Sequence, residues 1–286
     1  MPMRVLVTGA GGQLGRDVVR VCETAEDEVV AADHARLDLG QRDQVYSAIL
    51  SIRPDVVVHA GAWTAVDACE GDPDRAYRVN ALGTRWVADA CRRAGSYLCY
   101  VSTDYVFDGT KEDAYVEWDQ TNPQSVYGRS KLGGEHEVAA LAPEAGVVRT
   151  SWVCGEHGHN MVKTVLGLAD RPQLAFVDDQ RGSPSFTLDL AICIRQLAVK
   201  RLPGTFHVTN QGAVSWYEFV RDILEVSGHD PSIVKPISTA DLDPPRPAPR
   251  PANSVLDNAA LRLADLPPLP HYKDSLKSLV KALHSG

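Results

Sequence analysis

The run Arg4–Thr8 (RVLVT) leads directly into Gly9-Ala10-Gly11-Gly12-Gln13-Leu14-Gly15, and this junction restricts the fold more than any other segment. An apolar, β-branched run of that length reads as a buried strand, and a helix follows it through about Cys22. Between them the glycines at 9, 12 and 15 form a GxxGxxG turn. Glycine permits the tight turn and lets backbone approach a pyrophosphate, which sits on the free amides of a helix amino terminus. A strand before and a helix after distinguish this turn from glycine clusters that serve packing alone. The expected cofactor contacts here are Gly9, Gly12, Gln13, Leu14 and Gly15.

The first half repeats the alternation. Strands are expected at 28–33 (EVVAAD), 55–60 (DVVVHA), 97–102 (YLCYVS) and 146–153 (GVVRTSWV), with helices at 41–52, 74–94 and 125–141. That order predicts an α/β fold, a Rossmann-type doubly wound parallel sheet. After about residue 155 the elements shorten and the alternation fades. Residues 1–155 are therefore expected to bind the dinucleotide. Residues 156–286 are expected to form a smaller mixed α/β substrate lobe over the sheet's carboxyl edge, with some segments returning to the first part. The run at 243–251 (DPPRPAPRP) fits neither a central strand nor a helix interior, because proline lacks the amide donor; a flexible surface linker is its simplest reading.

Other strand ends add to the dinucleotide site. Asp33 closes the second strand about 20 residues after the glycines, where a carboxylate accepts hydrogen bonds from the adenosine ribose. Arg36 offers a cation to the 2′-phosphate of NADP, so either NADH or NADPH is expected to serve. Asp38, Leu39, Gly61, Ala62 and Trp63 are placed to flank adenine and ribose.

Composition excludes several classes. Of 286 residues, 44% are hydrophobic and 23% charged, and the formal net charge is −8 with no basic stripe, which argues against nucleic acid as a partner. The six cysteines (22, 69, 91, 99, 154 and 193) include no CxxC pair and read as free thiols in a reducing compartment. No stretch approaches a membrane span and the start lacks a basic region before a long apolar core. The expectation is a cytoplasmic protein without a membrane partner.

Tyr127-Gly-Arg-Ser-Lys131 opens a predicted helix, and a spacing of four puts both functional side chains on one face. An ammonium beside a phenol favours the phenolate, so Lys131 is expected to lower the pKa of Tyr127 and ease proton exchange. Thr103, in Ser102-Thr103-Asp104 at the fourth strand's end, supplies a second hydroxyl for a substrate carbonyl. Asn80, on the long preceding helix, is placed to anchor a water beside Lys131 or to cap a backbone kink.

With GAGGQLG, RPDVVVHAGAWTAVDACE, STDYVFDG, YGRSKLGGE, RTSWV, DDQRGSPSFT and RPANSVLD, nearly the whole chain resembles the extended short-chain dehydrogenase/reductases, within them the 4-ketoreductases of nucleotide-linked deoxysugars. The resemblance implies Thr103, Tyr127 and Lys131 as the catalytic group, Asp104 and Trp152 against the sugar, and Arg250 for the nucleotide's phosphates. It also implies a thymidine-diphosphate 4-keto-6-deoxy-L-sugar as substrate, reduced to dTDP-L-rhamnose by a monomer or homodimer. Some relatives hold magnesium through acidic residues, but His157, His159 and the Glu135-His136-Glu137 run fall on loops or diverging helix faces, so no metal is expected. Elimination chemistry is disfavoured because Thr103 is followed by one carboxylate, Asp104, and not by an acidic pair. A 4-ketoreductase of different stereochemistry and a non-catalytic NADP-binding regulatory subunit remain as alternatives.

Overall fold

The computed structural model describes residues 2–285. Strand β1 (Arg4–Thr8) lies inside a six-stranded sheet because four of its five residues are buried, as β-branched and leucine side chains favour on both faces. Helix α1 (Gln13–Thr24) carries the chain to β2 (Glu28–Ala32), and α2 (Arg42–Ile52) to β3 (Val56–His59). Then come α3 (Val66–Gly71), α4 (Pro73–Tyr77), a π-helical turn (Arg78–Leu82) and α5 (Gly83–Ala94), which feed β4 (Tyr97–Thr103). A 3₁₀ turn (Asp104–Val106) and α6 (Val126–Leu141) lead to β5 (Gly146–Thr150). The later elements are β6 (Val153–Cys154), α7 (Met161–Leu166), β7 (Leu174–Val177), β8 (Arg181–Gly182), β9 (Ser185–Phe186), α8 (Thr187–Lys200) and β10 (Gly204–His207). They continue with β11 (Val214–Ser215), α9 (Trp216–Val226), β12 (Val234–Ile237), α10 (Ala259–Leu263) and α11 (Tyr272–Ser285).

The sheet order is β10-β5-β4-β3-β1-β2, all parallel. The chain leaves β1 toward β2 on one side and resumes at β3 on the other. This reversal opens a crevice at the strands' carboxyl ends. One apolar core fills the face covered by α1 and α8, with Val5, Val7, Val58, Leu190 and Ile194 among its members. A second fills the face under α2 and α5, around Leu6, Val57, Val87 and Leu98. The fold is thus the doubly wound Rossmann type. A third core, from Cys154, Val162, Phe219, Ile223 and Leu276, belongs to the later elements. Yet α8 packs on the first face and β10 pairs with β5 as the sheet's edge strand.

Two local expectations change. The helix expected across 74–94 contains the π-helical turn, whose extra residue a pattern of apolar spacing does not reveal. The strand expected across 146–153 ends at Thr150, and Trp152 takes a left-handed conformation (φ 45) before β6 begins. Among the described residues no helix is long and apolar enough to cross a membrane.

Candidate active site

The glycine turn is shaped for close approach. Gly9 is left-handed (φ 68), and a Cβ there would lie 2.6 Å from Gly61 Cα, so the β1 and β3 loops touch only because both are bare. A Cβ on Gly15 would collide with the Gly9 carbonyl. The Gly12 amide donates to that carbonyl at 2.9 Å. Gly12 is the N-cap of α1, with no capping side chain and no acid in the first turn. The helix amides and their dipole are left open to an anion, the arrangement a pyrophosphate requires. These residues fit a dinucleotide.

Around that turn, Asp33 Oδ1 accepts the Arg36 amide at 3.0 Å, while the Arg36 guanidinium donates to the Ala31 carbonyl at 3.2 Å. Both line a cleft of about 440 Å³ with Gly11, Arg16, Arg20 and His157. Arg16 and Arg20 went unread as lining residues; their i,i+4 spacing on the helix behind the glycines was the available signal. Asp38 turns back on the Gly40 amide (2.8 Å), and Leu39 is buried against Gly61, whose missing Cβ leaves room for it. Gly61 also donates to Thr8 Oγ1 at 3.4 Å. Ala62 follows in the same loop, and Trp63 lies under the Arg75 guanidinium, 4.5 Å from its ring centre.

Asn80 ties this loop to α6. It accepts the Trp63 amide at 2.8 Å and donates to the Trp63 carbonyl at 3.1 Å and Ser130 Oγ at 3.0 Å. The residue sits within the π-helical turn, and its amide is spent on protein partners. Buried His59 of β3 joins β1 to α5 through Thr8 (2.7 Å) and Thr84 (3.1 Å), and burial lowers its pKa to about 3.

Helix α6 presents the candidate reacting pair. Ser125 caps it through the Gly128 amide at 3.1 Å, and Glu70 of α3 accepts the Val126 amide at 2.7 Å. Tyr127 and Lys131 follow one turn apart, both buried. Lys131 Nζ donates to the Val101 carbonyl at 2.7 Å and stands 4.2 Å from the Tyr100 ring centre. Burial lowers the lysine to about 7, with Glu135 pulling the other way. Burial also raises the Tyr127 phenol well above its usual range, against the Thr103 hydroxyl. The expected lowering of Tyr127 by Lys131 is therefore corrected: the phenol is raised, with burial the largest cause, and it stays protonated at neutral pH. Thr103 Oγ1 donates to Asp104 Oδ1 at 2.9 Å, and Ser151 donates to Asp104 Oδ2 at 2.9 Å. Burial raises Asp104, and the Ser254, Ser151 and Thr103 hydroxyls oppose the rise.

Behind Lys131, a third residue on the same face of α6 went unread as part of the site. Glu135 accepts from Ser102 Oγ (2.5 Å), Arg149 Nε (3.0 Å) and Arg149 Nη2 (2.6 Å), with both charged side chains buried. Its spacing of four from Lys131 was visible; its partner on β5 was not. Glu137 pairs with Arg85 at 2.8 Å, and His159 meets Thr164 at 3.3 Å.

Two further expected contacts are engaged within the chain. Trp152 stacks on Trp216 at 3.5 Å and 6°, and its Nε1 side rests on Gly182, where a Cβ would come within 2.6 Å. Its ring is thus packed by both residues. Arg250 pairs with Asp67 at 2.8 Å, the arginine side chain nearly buried.

Residues 3–285 match a family model described as RmlD substrate binding domain. The chain is 41% identical to dTDP-4-dehydrorhamnose reductase of Aggregatibacter actinomycetemcomitans, over 91% of this chain and 92% of that protein. It is 38% identical to the spore coat polysaccharide biosynthesis protein SpsK of Bacillus subtilis, over 99% of each. A crystal structure of dTDP-4-dehydrorhamnose reductase from Bacillus anthracis in complex with NADP matches with a TM-score of 0.94 at 37% identity, covering 99% of this chain and 100% of that one.

Proposed function

The chain belongs to the RmlD substrate-binding-domain family, and from that premise we propose that it uses NADH or NADPH to reduce the 4-keto group of dTDP-4-dehydro-L-rhamnose, giving dTDP-L-rhamnose. The observation that carries this reading is the Tyr127 phenol hydrogen-bonded to Thr103 at the carboxyl end of β4, with Lys131 one turn further along α6 and bonded to the Val101 carbonyl of the same strand.

Each group has a task in the reduction. Gly9, Gly12, Gln13, Leu14 and Gly15 hold the pyrophosphate on the open end of α1. Asp33 and Arg36 meet the adenosine ribose, and Asp38, Leu39, Gly61, Ala62 and Trp63 border adenine and ribose. A nicotinamide bound there supplies the hydride. Tyr127, kept neutral by burial, gives its proton to the carbonyl oxygen. Thr103 donates a second hydrogen bond to that oxygen, giving up its present bond to Asp104. The Lys131 ammonium, one helical turn away, stabilises the phenolate left on Tyr127. Asp104 and Trp152 border the sugar, and Arg250 meets the diphosphate.

Consumption of reduced nicotinamide in the presence of a dTDP-4-keto-6-deoxy-L-sugar tests the reading. Turnover is expected; tight nicotinamide binding without turnover would favour a non-catalytic, regulatory subunit. Cofactor choice gives a further expectation. A carboxylate beside the 2′-phosphate repels it, so Asp33→Ala should raise the NADPH-to-NADH ratio of kcat/KM by roughly tenfold. An unchanged ratio would place Asp33 away from the ribose.

A further inference from the structure

Helix α3 carries two acids that face different parts of the molecule. Glu70 caps the catalytic helix through the Val126 amide. Asp67, one turn earlier, reaches the Pro-rich strap at 243–251. Its carboxylate accepts the Ala248 amide at 3.1 Å, Arg250 Nη1 at 2.9 Å and Arg250 Nη2 at 2.8 Å. Arg250 Nη1 also donates to the Ala248 carbonyl at 2.9 Å. Two parallel bonds from one guanidinium are the geometry with which arginine grips a carboxylate or a phosphate. The pair stands beside the reaction centre: the Arg250 and Arg246 charges act on the Tyr105 phenol, and Tyr105 meets Tyr127 edge-on at 5.6 Å.

We propose that Asp67 is a built-in competitor of the substrate's diphosphate, occupying the anion position of Arg250 in the free protein and yielding it when the nucleotide sugar binds. The inference rests on the reading of Arg250 as a diphosphate ligand. A guanidinium has five N–H donors, and three of those on Arg250 are already committed to Asp67 and Ala248. A diphosphate therefore cannot take the Nη1–Nη2 edge of Arg250 while Asp67 remains, and is left only Nε–H and one hydrogen of Nη2. The two partners differ in which can move: the Arg250 side chain is 9% exposed and that of Asp67 43%. The carboxylate can swing into water and be solvated there, whereas the arginine is fixed by its packing and its bond to Ala248. Exchange thus costs little on the acid's side, and an exposed carboxylate left nearby still repels the diphosphate. Asp67 holds nucleotide affinity down and speeds departure of a product with the same diphosphate.

Calorimetric titration of the full chain with dTDP tests this. Asp67→Asn removes the charge but keeps an acceptor for the strap, and should tighten dTDP binding about tenfold. Asp67→Glu keeps the charge and should bind like the wild type. In an Arg250→Ala background the tightening by Asp67→Asn should disappear. Wild type that binds dTDP, with Asp67→Asn no tighter or weaker, would overturn the competitor and make Asp67 an orienting partner of Arg250. Wild type and variant that both bind nicotinamide but not dTDP would overturn the substrate reading, and the competitor with it.

Discussion

Tyr127→Phe is expected to lower kcat by roughly 10²- to 10⁴-fold, the usual contribution of general acid catalysis. The substitution removes one oxygen and keeps the ring that packs edge-on against Tyr105. Ser125 and Glu70 still cap α6, so Lys131 keeps its bond to the Val101 carbonyl. Nicotinamide binding, followed by fluorescence, should persist. The alkoxide formed by hydride transfer would then have no neutral phenol beside it. Near-native kcat in this variant would make Tyr127 structural and require another proton source. Joint loss of turnover and nicotinamide binding would report damage to the fold.

The second large effect is on stability. Glu135→Gln leaves the Arg149 guanidinium buried without its counter-charge, and breaking such a pair from one side costs about 3–5 kcal/mol. For a chain of this size that corresponds to a fall in Tm on the order of 10 °C. Adding Arg149→Met to the same molecule removes the stranded charge. The neutral amide introduced by Glu135→Gln can still accept from Ser102, so the double variant should regain most of the loss. Equal Tm for wild type and Glu135→Gln would mean that the pair contributes nothing. The pair matters to the site because it fixes the third turn of the face that carries Tyr127 and Lys131, and joins α6 to β5 beside β4.

What could be read from the sequence follows the range of the interactions. Strands β1 to β4 were legible because a parallel sheet buried on both faces demands unbroken apolar runs, as in Val56–His59. The glycine turn and the Tyr127–Lys131 pair were legible because their geometry is set within one turn of chain. Strand β10 was not: GTFH is short, and only its pairing with β5 makes it part of the sheet. The break after Thr150 was hidden because Trp152 continues an apolar strand pattern, yet it is turned by its stack on Trp216 and its seat on Gly182. Asp67 and Arg149 stayed unread for the same reason. Each is ordinary in its own segment and acquires its meaning from a partner far along the chain, Arg250 for one and Glu135 for the other.

The central claim is hydride transfer from a nicotinamide to C4 of a nucleotide-linked keto sugar, completed by a proton from Tyr127. The most direct measurement is turnover of the full chain with a dTDP-4-keto-6-deoxy-L-sugar and NADPH deuterated at the transferable position of the ring, read by NMR of the sugar product. The account predicts a reduced deoxysugar nucleotide carrying one deuterium, located at C4, with no such product from Tyr127→Phe on the same timescale. Cofactor oxidised without deuterium at C4, or a wild type that binds NADPH and the sugar nucleotide yet forms no labelled product, would contradict it.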